Sequence, residues 1–390
     1  MKPLRDQMAA RVAADEFPGA VWLVARGDDV VVDTVGVTAV GGEVPMRRNT
    51  IFRIASMTKA VTAAAVMMLI EEGKLRLEAP AEEWLPELAH RQVLRRLDGP
   101  LTDTVPAKRP ITVEDLLTFT LGFGVLFDDD LPIQRAIDEN RLVNGPPVPM
   151  TPLDPDAWMR GFGTLPLMHQ PGEGWMYNSG SLIQGVLVRR AAQQPFDAFV
   201  RERITGPLGM RDTDFFVPAD KLDRYAGCGV FTDPASKAPR RMDQDGAASA
   251  YAAPPVFPGG SAGLVSTVDD YLAFARLLLN GGKHHGRSLL GERSVRAMTT
   301  DHITPAQKAV ARFFPGFFDE SGWGYGLRVS TAPDAITPVP GRYGWYGGFG
   351  TSWMTDPIRN LIAIVMTQSA NFLFDGGLQA FWRGVYASTA

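Results

Sequence analysis

The chain has 390 residues, 45% of them hydrophobic and 21% charged, with a formal net charge of −4. That length suits one large domain with an insertion, or two domains, and the composition is that of a soluble globular protein with a sizeable core. There is no long run of one charge sign, which argues against a nucleic-acid or membrane-surface partner.

The first segment, MKPLRDQMAARVAADEF, reads as the start of an amphipathic helix near residues 3–15. It lacks the apolar core and small-residue cleavage site of a signal peptide. The longest charge-free apolar run, Ala60–Ile70, is too short to span a bilayer. On these grounds the expected location is cytoplasmic. Two strand-like runs follow the helix, Ala20–Arg26 and Val30–Val37, and the polar Gly27-Asp28-Asp29 between them predicts a hairpin. A helix is expected from about Ser56 to Glu72, stopped by Gly73. From about 75 to 225 the sequence holds helical fragments broken by Pro and Gly, with a loop-rich stretch at 144–156 and no strong strand. Strand character returns at Gly324–Ser330, Thr351–Thr355 and Leu361–Thr367, and Leu378–Ser388 is expected to close the chain as a helix. Strands at both ends with a helical middle predict an α+β fold: an antiparallel sheet built from both termini and flanked by helices. The expected division is 1–75 with 226–390 for the sheet domain and 76–225 for an inserted, mostly helical domain, with an active site between them.

Ser56 and Lys59 sit three residues apart at the start of the expected helix and therefore share a face. The residues after Lys59, AVTAAAVMMLI, are uncharged and apolar all round, the pattern of a helix buried on every side. A lysine in such surroundings is partly desolvated, which favours the neutral amine that a base for a serine hydroxyl must be. The helix N-terminus also presents backbone N–H groups to developing negative charge. The alternative is an N-cap serine followed by a lysine that snorkels to solvent from the first turn. No other serine in the chain has Lys at the third position after it.

The segment IFRIASMTKAVTAAAVMMLIEEGKLRLEAPAEEWLPEL resembles the penicillin-recognising serine hydrolases: class C β-lactamases, D-alanyl-D-alanine carboxypeptidases and the family VIII esterases with a β-lactamase fold. RPITVEDLLTFTLGFG, PGEGWMYNSGSLIQGVLV, GPLGMRDTDFFVP, GGSAGLVSTVDDYLAFARLLLNGG and GWYGGFGTSWMTDP are similar to family landmarks, in the family's order, so the resemblance covers most of the chain. It implies that Ser56 is an acylated nucleophile, with Lys59 beside it and Tyr177 of Tyr177-Asn178-Ser179 moving a proton between them and the leaving group. The other reading of Tyr177 is an amphipathic tyrosine packed before a helix. The sequence departs from the family at Ser179, which stands where β-lactamases have asparagine, while Asn178 lies one residue earlier. Substrate contact and helix N-capping are both open for these two residues. The family's Lys-Thr-Gly is absent, and Trp345-Tyr346-Gly347 resembles the Trp-Gly-Gly variant of family VIII esterases; an ungapped match would put Arg342-Tyr343-Gly344 there instead. Either way a strand edge beside Ser56 is expected, and the esterase match makes the Gly348 N–H the second oxyanion donor after that of Ser56. The departures shift the expected leaving group from a lactam nitrogen to an ester oxygen.

Gly259-Gly260-Ser261-Ala262-Gly263 fits the Gly-x-Ser-x-Gly nucleophile elbow, but AYAAPPVFP before it has three prolines and no strand pattern. A turn near the site is the expectation. The five histidines (90, 169, 284, 285, 302) show no metal-ligand spacing, Cys228 has no partner cysteine, and no phosphate-binding glycine motif follows a strand, so no cofactor or metal is expected. Trp175, Tyr177, Trp345, Tyr346, Phe349 and Trp353 suit a hydrophobic acyl or alcohol group, or the core. The expected function is a carboxylesterase acting on small esters through a Ser56 acyl-enzyme. The rivals are a β-lactamase or D-amino-acid peptidase, an acyltransferase, and a non-catalytic penicillin-binding-like module.

Overall fold

The structure, a computed structural model, describes residues 1–126, 130–142, 151–232 and 239–389. Helix α1 (Lys2–Ala13) leads into strands β1 (Gly19–Arg26) and β2 (Asp29–Gly36). The hairpin turn is tight: Arg26 pairs with Asp29, and Gly27 takes the positive φ of +60° that such a turn needs. Helix α2 (Thr58–Glu71) follows, and five more strands of the same sheet come late in the chain: β3 (Ser321–Trp323), β4 (Arg328–Ser330), β5 (Tyr343–Gly347), β6 (Thr351–Asp356) and β7 (Leu361–Met366). The sheet order is β3-β4-β5-β6-β7-β1-β2, every pair antiparallel, so the N-terminal hairpin docks on the C-terminal strand.

Both faces of the central strands are covered, which is why β1 and β7 read as nearly continuous apolar runs rather than as alternating ones. Ala20, Trp22 and Val24 of β1, with Leu361, Ala363 and Val365 of β7, face α1 and the C-terminal helix, where Leu4, Met8, Phe381, Trp382 and Val385 complete a core. Val21, Leu23 and Ala25, with Ile362, Ile364 and Met366, face the other way, toward α2. From α2 the same apolar cluster continues into the helical segments, taking in Leu116 and Leu117 of α3 (Val113–Thr118) and Ile183, Val186 and Leu187 of α4 (Ser179–Ala192).

Several boundaries differ from expectation. The Ser56 end of α2 is a separate 3₁₀ turn, Ala55–Met57, and Gly73 (φ +69°) stops the helix as expected. The single strand expected at Gly324–Ser330 is β4 alone. The chain bends at Gly324–Leu327 because Gly326 (φ +75°) lies against the Lys59 carbonyl, where a Cβ would come within 2.6 Å. A short ladder, Gln92–Leu94 with Thr104–Pro106, interrupts the helical middle where no strand was expected. Of the loop-rich stretch at 144–156, residues 144–150 lie outside the described residues, and Asp154 caps the helix Pro155–Thr164 by accepting from the Asp156 and Ala157 amides. The chain closes with α5 (Val268–Leu279) and later α6 (Gly377–Thr389), whose buried Leu378, Phe381, Trp382 and Val385 repeat at helical spacing. Among the described residues no helix is long and apolar enough to cross a membrane.

Candidate active site

Ser56 lies in the turn ahead of α2, immediately after Ala55, which is held at φ +43°. A side chain with a Cβ pays for that conformation in strain, which a well-packed surrounding must hold in place. Residues Thr58–Leu69 of α2 are all buried, so the uncharged pattern of this helix has its cause in packing on every side. Lys59 is fully buried. Its Nζ donates to Ser56 Oγ at 2.9 Å and to the Ser261 carbonyl at 2.7 Å, and it lies 4.6 Å from the centre of the Tyr177 ring. Burial alone drives the Lys59 pKa well below its ordinary value, since no carboxylate offsets it.

Tyr177 reaches the same point from the other side. Asn178 sits at φ +84° and ψ −56°, and the Ser179 amide donates back to the Tyr177 carbonyl at 3.3 Å, a γ-turn that starts α4 abruptly. The phenol is hydrogen-bonded to Ser56 and receives the Trp345 indole N–H at 2.9 Å. Burial pushes the Tyr177 pKa up, more than the two hydrogen bonds lower it. The first shift favours the neutral amine with an available lone pair, and the second keeps the phenol protonated beside it.

Strand β5 forms the third wall. Its pairing with β4 runs only through Tyr343 and Gly344, whereas its pairing with β6 continues to Gly347 opposite Thr351. Residues 345–347 thus form the expected strand edge, and it passes beside Ile54: a Cβ on Gly347 would come 2.1 Å from the Ile54 carbonyl oxygen. Gly348 lines the same cavity as Ser56 and Tyr177. Arg342 lines it farther off, and Gly344 stays inside the sheet opposite Met354, so 345–348 is the stretch next to the serine.

The structure thus brings Ser56, Lys59, Tyr177 and Trp345 into one hydrogen-bonded group, with Gly348 on the adjoining wall and Gly347 behind it. Asn178 and Ser179 are buried at the start of α4 and are not among the residues lining the cavity; Asn178 stands at the N-cap position without a side-chain capping bond. Of the aromatic set expected around a substrate, Tyr177, Trp345 and Tyr346 line the cavity of about 900 Å³, while Trp175, Phe349 and Trp353 belong to the core. Phe313, Phe314, Phe317, Phe374 and Trp382 complete its aromatic lining.

The expected turn at 259–263 is near the site, but its contact with Lys59 escaped the sequence, as did a second contributor, Arg53. The glycine-rich segment 259–263 is a turn, with the Gly263 amide bonded to the Gly259 carbonyl at 2.9 Å, and it supplies the Ser261 carbonyl that holds Lys59. The Ser261 hydroxyl belongs to no nucleophile elbow, because the short strand Val265–Ser266 comes after this turn and not before it. Arg53, fully buried, bonds Asp243, the Ala226 carbonyl and Gln368 and lies over the Tyr225 ring, anchoring the chain three residues ahead of Ser56. Both contacts join residues distant in sequence, and no local pattern announces either contact. Among the described residues no three His, Cys, Asp or Glu side chains come together as a metal-ligand set.

Comparison with known proteins places this geometry. The family model described as Beta-lactamase matches residues 4–384. An uncharacterized protein of Mycobacterium tuberculosis is 39% identical over 356 residues, covering 90% of this chain and 85% of its own. Esterase EstB of Burkholderia gladioli is 32% identical over 397 residues, 95% of this chain and 91% of that one. Among solved structures EstCE1, titled a hydrolase with promiscuous acyltransferase activity, superposes with a TM-score of 0.80 at 22% identity, over 98% of this chain and 97% of its own.

Proposed function

Since the chain belongs to the Beta-lactamase family of serine hydrolases, we propose that it is a carboxylesterase that works through a Ser56 acyl-enzyme. The observation that carries this reading is the buried Lys59 amine 2.9 Å from Ser56 Oγ at the wall of a largely apolar cavity. Lys59 and Tyr177 together accept the Ser56 proton as Oγ attacks the ester carbonyl carbon. The Ser56 and Gly348 amides hold the oxyanion. The C–O bond to the alcohol then breaks, and the alkoxide leaves with the proton returned through Tyr177. Water repeats the attack on the acyl-enzyme, giving the free acid and restoring Ser56.

Two observations favour an ester over a lactam. The strand beside Ser56 carries Trp345-Tyr346-Gly347 where β-lactamases carry Lys-Thr-Gly, and Trp345 is engaged with Tyr177 rather than presenting a cation to a lactam carboxylate. The similarity to an esterase, EstB, runs over nearly the whole chain. The test compares short p-nitrophenyl esters with a chromogenic cephalosporin, alongside intact-mass mapping after a fluorophosphonate. Ester hydrolysis and an adduct on Ser56, both lost in Ser56→Ala, are expected. Faster lactam turnover would overturn the ester assignment. An adduct that persists in Ser56→Ala would overturn the nucleophile, and the absence of any adduct points to a non-catalytic module.

A further inference from the structure

The cavity that opens at Ser56 is at the upper end of the ~300–1,000 Å³ that enclose drug-sized ligands, far more than a short ester fills. It turns around the end of β5. Tyr346 marks the turn: its ring stacks on that of Trp345 with centroids 4.4 Å apart, and it packs both against the Tyr177 cluster and against the core under α6. Beyond Tyr346 the wall is mainly apolar, with Met354, Leu378 and Trp382, and its polar members are Arg328, Arg342, Asp334 and Gln379.

These two guanidinium groups are unequally satisfied. Arg342 is 1% exposed and ion-paired with Asp334, yet its Nε has no hydrogen-bond acceptor. Asp334 is fully engaged, since its other oxygen accepts from the Ile336 amide at 2.9 Å and the Thr337 amide at 3.0 Å. Arg328, half-buried on β4 next to Tyr346, is in no ion pair among the described residues, and Glu320 is exposed at the rim. The Arg342 Nε is closed off from the cavity, so Arg328 is the open cation, and its guanidinium fork in a mainly apolar chamber favours an anion with two oxygens.

We propose that this inner chamber binds a carboxylate at the far end of the substrate, so that the preferred substrates are esters with a long apolar arm ending in a free carboxylate. This inference rests on the ester hydrolase reading of Ser56. The apolar wall takes the arm's methylenes, and the Arg328 guanidinium takes the terminal oxygens. The reacting ester stays at Ser56, at the other end of the same cavity.

Two substrate series test it: p-nitrophenyl monoesters of dicarboxylic acids against length-matched alkanoates, and acetate esters of ω-hydroxy acids against length-matched alcohols. In at least one series kcat/KM for the carboxylate-ended ester is expected to exceed its methyl-ended match by about tenfold or more, as a charge-assisted contact allows. Arg328→Gln is expected to bring that ratio toward one, mainly through KM, and Arg328→Lys to retain part of it. Equal or better turnover of the methyl-ended esters in both series overturns the proposal while p-nitrophenyl acetate hydrolysis leaves the esterase reading standing. A ratio that survives Arg328→Gln overturns the assignment to this chamber. If no ester is turned over, p-nitrophenyl acetate included, the esterase reading falls and this inference with it.

Discussion

Lys59 combines two effects of one burial. In the unfolded chain its ammonium is charged up to its ordinary pKa of 10.5, whereas in the folded chain desolvation lowers that pKa well below this value. Between the two values the unfolded chain holds one more proton, so stability falls as the pH falls through that window, by about 1.4 kcal/mol per unit. Lys59→Met, similar in size and uncharged, is expected to abolish turnover yet raise Tm, and to raise it more at about pH 7 than at about pH 9. Thermal melts at both pH values check the sign. If the neutral Lys59 amine is the working form, as proposed, the same lowering predicts that kcat/KM rises with pH through the Lys59 pKa and then levels. Trp345 acts on Tyr177 through a single indole N–H bond at 2.9 Å. Trp345→Phe is expected to lower kcat about fivefold, the worth of one ordinary hydrogen bond, with KM little changed. A pure packing role would lower Tm without that selective loss in kcat.

At the scale of elements, the site depends on three backbones meeting at van der Waals distance: the turn before α2, the turn 259–263 and the end of β5. Glycine is required where they touch. A Cβ on Gly260 would lie 2.4 Å from the Ser181 carbonyl oxygen and 2.9 Å from the Thr62 side chain. Gly260→Ala must therefore push the turn outward and draw the Ser261 carbonyl off Lys59. The expected result is an overpacking loss of about 1–3 kcal/mol in stability, read by denaturant unfolding, together with a fall in kcat larger than the stability change alone explains. The two strained residues, Ala55 and Asn178, flank the serine and the tyrosine, and the packing of α2 and α4 against each other through one apolar cluster is what holds them.

At the scale of the whole molecule, the chain's ends hold each other. Strand β1 lies between β7 and β2, and α1 packs against α6 over the same core. Amide exchange is expected to be slowest in Ala20–Ala25 and Leu361–Met366, which are buried on both faces, and fast in two-residue ladders such as Lys283–His284 with Arg287–Ser288. Ending the chain at residue 376 removes α6 and exposes Leu4, Met8 and Trp22 to water. Loss of soluble, cooperatively folding protein is the expected outcome, and retention of a native melt would show that the sheet stands without that helix.

The sequence alone determined the parts whose signals are local. The hairpin followed from two apolar runs around Gly27-Asp28, the buried α2 from an uncharged run of 11 residues, and the positions of Ser56, Lys59 and Tyr177 from short motifs in order. Only the tertiary structure decided what each of these meets. The Ser261 carbonyl is 202 residues from Lys59, and the Trp345 indole is 168 from Tyr177. Periodicity encodes which face of an element is apolar, but not which distant backbone oxygen or indole closes on it. That choice is made by packing, and it is packing that turns a serine three residues before a lysine into a hydroxyl beside a desolvated amine.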